Sequence, residues 1–345
     1  ISVFSEGSVR NPTFYETIIL SLSGKFDWIE WYTFFHTDLV KKLNVNFFLT
    51  LMKDAMELFL THIFPTQEDS MHEDYLKHID RLILQRPATS PALQPYRELA
   101  CLMIRAEPAL LSERPEEEHL EIRRKEGFPL FSREDLPVDF GSASALLSQC
   151  FKYLSETDRE DRTGLAKALK KTEKYPQWAD KLFKAILKQD EKALATIASQ
   201  VDLDSRTLLF LGKIALRPSL EALRRLMEEG IHEKPWDHGY CPLCGSQPDM
   251  ACFTKTGKRR LHCELCGEEW TFVRIGCPFC NNDKHESLGY FEAEEEEGLR
   301  VYFCRSCQRY LKTIDSRVFE EVAPLELEGL ASLHLDFIAH EKGFK

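Results

Sequence analysis

Cys241-Pro-Leu-Cys244-Gly245, Cys263-Glu-Leu-Cys266-Gly267, Cys277-Pro-Phe-Cys280 and Cys304-Arg-Ser-Cys307-Gln308 decide how the last third of this chain folds. Two residues between cysteines let one tight turn aim both sulfurs at a single ion, and two such turns complete a tetrahedral Cys₄ site. The gap between Cys244 and Cys263 is 18 residues and that between Cys280 and Cys304 is 23, each enough for a hairpin that brings the chain back to its first knuckle. Only 10 residues separate Cys266 from Cys277. Sequential pairing, first knuckle with second and third with fourth, is therefore favoured, and interleaved pairing stays open. Glycine after the second cysteine supplies the positive φ such a turn often needs. The last pair has Gln308 in that place.

Outward from the knuckles, short strands are expected at 250–254, 260–263, 270–275, 287–292, 299–303 and 310–314. That is two sets of three, each threaded by two knuckles. A small ribbon has almost no core, and a Cys₄ zinc site supplies roughly 10–16 kcal/mol of apparent binding energy to fold it. Structural metal is thus the first reading. The Cys-Pro-x-Cys-Gly form also suits redox iron of the rubredoxin kind, and thiolate softness admits both ions. Thiol–disulfide exchange is disfavoured, because four pairs exceed what that chemistry uses.

Upstream of about residue 232 the pattern is helical. Tyr75, Ile79, Leu82 and Ile83 form one apolar face, closed by Pro87, with Thr89 or Ser90 capping the next helix toward Ile104. Helices follow over 143–154, 165–171, 178–187, 191–198 and 205–216. Pro218 is placed in the first turn of a separate helix, Leu220 to Glu229. Arg114 to Pro137, charged and broken by prolines, reads as a short helix plus a long surface connection. Past Pro324 a last helix is expected from Leu327 to Glu341.

The chain has 345 residues and a net charge of -11, which disfavours non-specific nucleic-acid binding. Lys255, Lys258, Arg259 and Arg260 form a basic hairpin tip that is read as a solvated face, and Glu294–Glu297 as an acidic loop tip. Val45 to Phe64 is apolar but broken by Lys53, Asp54 and Glu57, and reads as a soluble helix. With no signal-peptide or membrane-span pattern and with paired rather than framework cysteines, a cytoplasmic protein is expected. Of the 11 cysteines, Cys101, Cys150 and Cys252 stand outside the pairs and are read as inert. His262 beside Cys263 is a minor candidate ligand. No phosphate loop, nucleophile elbow or paired-carboxylate arrangement is found.

The chain resembles the formate dehydrogenase accessory protein (FdhE) family. Arg217-Pro-Ser-Leu-Glu221, Trp236-Asp-His-Gly-Tyr-Cys-Pro-Leu-Cys-Gly-Ser246 and Leu261-His-Cys-Glu-Leu-Cys-Gly-Glu-Glu-Trp270 carry the likeness. So do Cys304-Arg-Ser-Cys-Gln-Arg-Tyr-Leu-Lys-Thr-Ile-Asp315, Leu330-Ala-Ser-Leu-His-Leu-Asp336, Glu341-Lys-Gly-Phe344 and, upstream, Glu126-Gly-Phe-Pro-Leu130. It is specific over about 205–345, looser over 70–204 and absent from the first 60 residues. Glu328-Gly329 stands where the family pattern has an acidic pair, and the Glu294–Glu297 insertion is unusual. The resemblance implies an α+β chain: an all-helical N-terminal domain, tandem rubredoxin-like or zinc-ribbon modules and a C-terminal helix. The divisions expected are a mostly helical segment 1–70, a helical domain 71–231, ribbons 232–275 and 276–323, and a helix 324–345. The eight knuckle cysteines become ligands of two metal ions, iron being the family's ion and zinc a substitute. The function implied is non-enzymatic: binding the catalytic subunit of a molybdenum- or tungsten-dependent formate dehydrogenase for its assembly or activation. A rubredoxin-like redox protein and a nucleic-acid-binding ribbon are the alternatives. Self-association is left open.

Overall fold

The computed structural model describes residues 67–110, 115–231, 236–293 and 296–345. The helix expected over Val45–Phe64, and most of segment 1–70, lie outside them. All contacts given below belong to the compact unit Met71–Lys345. The helical pattern resolves into α1 (Gln67–Gln85), α2 (Ser90–Ile104), α3 (Glu117–Lys125), α4 (Phe140–Ser155), α5 (Arg162–Lys174), α6 (Pro176–Lys188), α7 (Glu191–Ser199) and α8 (Ser205–Ile231). Local chemistry explains several ends. The Asp139 carboxylate accepts from the Ser142 N–H to start α4, and the Asp190 carboxylate accepts from the Ala193 N–H to start α7. Pro176 opens α6, where its missing N–H costs nothing. Gln189, at φ 54°, ends that helix in the left-handed conformation.

One boundary differs from expectation. α8 runs unbroken through Pro218 rather than ending before it. An interior proline costs about 3 kcal/mol. Leu211, Ile214, Ala215 and Leu216 before it, and Leu220, Leu223 and Met227 after it, are all buried. Each fully buried leucine contributes about 1.5–3 kcal/mol, so one continuous apolar face outweighs one broken backbone bond.

The six strands lie close to where the pattern placed them: β1 (Pro248–Phe253), β2 (Arg259–Cys263), β3 (Glu269–Phe272), β4 (Leu288–Glu292), β5 (Leu299–Cys304) and β6 (Arg309–Asp315). Within each ribbon the pairing is antiparallel. The ribbons are also fused. β1 pairs in parallel with β6, from Met250↔Lys312 to Phe253↔Asp315, giving one sheet of order β3-β2-β1-β6-β5-β4. The two seam strands are consequently buried on both faces: Met250, Ala251 and Cys252 in β1, and Leu311 to Asp315 in β6.

After the sheet come two helices, α9 (Leu325–Ala331) and α10 (Leu333–Glu341), in place of the single one expected. The break at Ser332 has a cause. Buried Lys312 donates to the carbonyls of Gly329 at 2.7 Å and Ser332 at 3.5 Å, and to the Asp336 carboxylate at 2.7 Å. The Ser332 hydroxyl turns back onto the Glu328 carbonyl, and Thr89 donates to that of Ala331. Carbonyls that would have continued the helix are thereby satisfied from outside it.

The connection after α3 is not a surface loop. Leu130 and Phe131 donate their N–H groups to the carbonyls of Pro242 and Leu243 at 2.8 and 2.9 Å. Leu130, Leu136 and Val138 are buried. The segment thus lies on the first knuckle. One apolar core joins the helices to the first ribbon and includes Leu243 and Leu265 from between its cysteines. A smaller one, with Met250, Val301, Ile314, Leu325 and Leu335, lies between the sheet and the last helices. Among the described residues no helix is long and apolar enough to cross a membrane.

Candidate metal centres

Knuckle geometry repeats almost without change. The first cysteine's N–H donates to the carbonyl five residues on: Cys241 to Ser246, Cys263 to Glu268 and Cys277 to Asn282, at 2.8–2.9 Å. Its carbonyl accepts from the residue four ahead: Gly245, Gly267 and Asn281. That fourth residue needs positive φ, which is 72° at Gly245 and Gly267, 56° at Asn281 and 59° at Gln308. Two knuckles therefore hold this conformation without glycine, and at Gln308 the side-chain amide donates to the Arg305 carbonyl.

These turns bring the eight cysteines into two groups, Cys241, Cys244, Cys263 and Cys266 in one, Cys277, Cys280, Cys304 and Cys307 in the other, each with its sulfurs within 4.8 Å of one another. The grouping is sequential. Closest approaches are 3.5–3.6 Å in the first group and 3.6–3.8 Å in the second. A tetrahedron with metal–sulfur bonds of about 2.3 Å has edges of about 3.8 Å, so both groups are able to hold an ion, whereas a disulfide needs about 2.05 Å. The donor chemistry suits zinc and iron alike.

The two centres differ in surroundings. All four sulfurs of the first belong to buried residues inside the main core. In the second, Cys280 is exposed and Cys307 half-buried. Burial pushes the Cys241 and Cys266 thiols well up. Burial acts on Cys244 too, but hydrogen bonding with Cys241, Cys263, Cys266 and Ser246 outweighs it and holds that thiol well below its usual range. Holding a divalent ion would require these thiols to give up their protons, so metal binding here is coupled to proton release.

A second layer of residues clamps the first centre to the helices. Glu264, between Cys263 and Cys266, accepts from Arg133 at 2.8 Å, Lys213 at 3.1 Å and Gln189 at 3.4 Å. Arg133 also donates to the Ser246 hydroxyl at 2.6 Å and to the last carbonyls of α6. The Arg217 guanidinium lies so close to Gly267 that a Cβ there would meet it at 2.2 Å. Arg217 pairs with Glu326, which also accepts from Tyr96 at 2.8 Å. On the other side, Tyr240 donates to the Gly127 carbonyl at 2.6 Å, and Gly239 packs on the backbone of Pro278 in the third knuckle.

Neither Arg133, in the stretch read as a surface connection, nor Glu264, inside the second knuckle, shows its partner in the sequence. Glu126–Leu130 carries the family likeness, but nothing in that stretch announces its contacts with Tyr240 and Pro242. His262 lies outside both groups and bonds Asp249 at 2.7 Å. Cys101, Cys150 and Cys252 also lie outside them. Burial pushes the Cys150 thiol up to about 12. The basic tip is dismantled: Arg259 is buried, Arg260 pairs with Glu269 and Lys255 donates to the Phe319 carbonyl.

A family model described as "FdhE, central domain" matches residues 240–274. A "Protein FdhE homolog" of Aquifex aeolicus is 38% identical over 117 residues, 33% of this chain and 41% of that protein. One of Pseudomonas aeruginosa is 36% identical over 163 residues, 44% of this chain and 52% of that one. The aligned stretches thus span about half or less of these relatives' own length. The crystal structure of the FdhE protein from Pseudomonas aeruginosa superposes with a TM-score of 0.61 at 27% identity, covering 79% of this chain and 91% of that one.

Proposed function

From an FdhE-like chain with two four-cysteine cradles in one sheet, we propose a non-enzymatic maturation factor that binds the catalytic subunit of a molybdenum- or tungsten-dependent formate dehydrogenase. The observation that carries this reading is the joint likeness to FdhE, in fold over most of both chains and in sequence around the knuckles. On this reading Cys241, Cys244, Cys263 and Cys266 hold one ion and Cys277, Cys280, Cys304 and Cys307 another, with the helical part 71–231 and ribbons 232–275 and 276–323 presenting one partner surface. Site of action is the cytoplasm. The first ion serves the fold, since its cradle lies inside the main core. Co-purification tests the reading: the catalytic subunit is retained by the tagged chain when both are expressed, and failure to retain it would sink the proposal.

A redox role for the second centre is the alternative, favoured by one observation. Cys280 and Cys307 reach the surface, so an electron would have a short path out. Metal analysis with visible absorption separates the two. Two zinc ions in a colourless protein remove electron transfer. One or two irons with thiolate-to-iron absorption support it.

A further inference from the structure

A cavity of about 280 Å³ opens beside the second centre, between the Cys277–Cys280 knuckle and strands β4 and β5. Three guanidiniums, Arg259, Arg274 and Arg309, line it together with His285 and the knuckle residues Cys277 and Cys304, and no carboxylate does. Among the described residues none of the three arginines has an acidic partner. Arg259 is buried between the rings of Phe272 and Tyr302, donates to the Gly276 carbonyl at 2.8 Å and leaves its Nε without an acceptor. A buried guanidinium without a counter-ion is unfavourable. Four thiolates around a divalent ion would supply two net negative charges, still fewer than three arginines. Arg309 stacks on Phe279 at 3.9 Å, while Arg274 is exposed at the mouth.

The mouth is also apolar. Ile275 and Tyr290 on its rim are each 54% exposed. Tyr290 belongs to β4, the end strand of the sheet, whose outer edge pairs with no other described strand. An open edge is a template for another extended chain, and side chains alternate along such a chain, so that one enters a pocket while its neighbours cover the rim.

We propose that the β4 edge and this cavity together bind an extended segment of a partner protein carrying an acidic side chain. The carboxylate lies among Arg259, Arg274 and Arg309, and the flanking apolar side chains cover Ile275 and Tyr290. The proposal deepens the maturation-factor reading and rests on it for the existence of a partner.

The probe is a short, terminally blocked, fluorescein-labelled peptide of alternating valine and threonine with one central glutamate, and its twin with lysine instead. Fluorescence anisotropy on the metal-loaded full chain should show saturable, salt-sensitive binding of the glutamate peptide only. Arg274→Glu should weaken it about tenfold or more, as loss and reversal of one charge-assisted contact requires. Arg309→Gln should weaken it less, and Arg162→Glu in the helical part not at all. Equal binding of both peptides, no binding of either, or indifference to Arg274→Glu overturns the proposal. So does an unlabelled aromatic carboxylate that binds as tightly as the peptide, which would make the cavity a small-molecule site. Retention of the formate dehydrogenase catalytic subunit is measured in parallel. If wild type and Arg274→Glu retain it equally, the edge site falls and the function stands. If the wild type does not retain it, the function falls whatever the peptide does.

Discussion

Glu264→Gln tests whether the first metal knuckle is clamped to the helices by charge. The carboxylate accepts from Arg133 at 2.8 Å and Lys213 at 3.1 Å, and these side chains are only 12% and 27% exposed. A hydrogen bond to a charged group contributes about 1.5–3 kcal/mol, and orphaning a fully buried partner costs about 3–5 kcal/mol. The amide keeps one acceptor but turns a donor toward the other cation. With the site partly open to water, a loss of about 2 kcal/mol is expected, or about 4–6 °C in Tm for a unit of this size. The assay is thermal and urea unfolding of fully metal-loaded protein, with metal content measured so that ligand loss is not mistaken for clamp loss. Lys213→Met in a double-mutant cycle should show a coupling of about 1 kcal/mol. A shift below about 1 °C with both ions retained would refute the clamp.

Cys263→Ser should lower metal content by one ion and destabilise the helices as well, read by circular dichroism, because that centre lies in the shared core. Cys280→Ser should also lower it by one ion but leave the helical melt nearly unchanged. Gly239→Ala places a Cβ 1.9 Å from the Pro278 carbonyl oxygen, a backbone atom that cannot swing aside. A cost of about 3 kcal/mol is expected in the urea midpoint. The N–H groups of Ser142 and then Ala109 hold the Asp139 carboxyl below its usual range. With the folded pKa depressed, this stabilisation is complete above the unfolded value of about 3.9 and is lost as pH falls through the folded value. Asp139→Asn keeps a cap but should flatten the stability-versus-pH curve below about pH 4, whereas Asp139→Ala should cost about 1 kcal/mol at neutral pH.

Strands and knuckles were legible because their signals are local. Cysteine spacing, a glycine after the turn and short apolar or aromatic runs of four to seven residues all act over one hairpin. The sequential grouping followed from the lengths of the gaps. Long-range choices were not legible. Nothing within β1 or β6 announces that they pair with each other, since apolar residues on both faces suit any central strand. Pro218 and Ser332 show the same limit from opposite directions. The proline ought to stop a helix and is overruled by leucines buried on either side of it. The serine interrupts a helix because Lys312, twenty residues earlier, reaches its carbonyl. Arg133 is a further case, its partners being Ser246, Glu264 and the end of α6.

The parallel seam between β1 and β6 has a consequence for the order of synthesis. β1 is made first but gains its inner neighbour only after roughly sixty more residues have left the ribosome. Until then the nascent chain presents the open edge of β1, Met250 to Phe253, together with the thiols of Cys277 and Cys280, whose partner knuckle comes last. Metal captured by the first four cysteines would close one ribbon without covering that strand. The interval between closure of the first ribbon and the arrival of β6 is therefore when this chain is most open to mispairing with a neighbour on the same message.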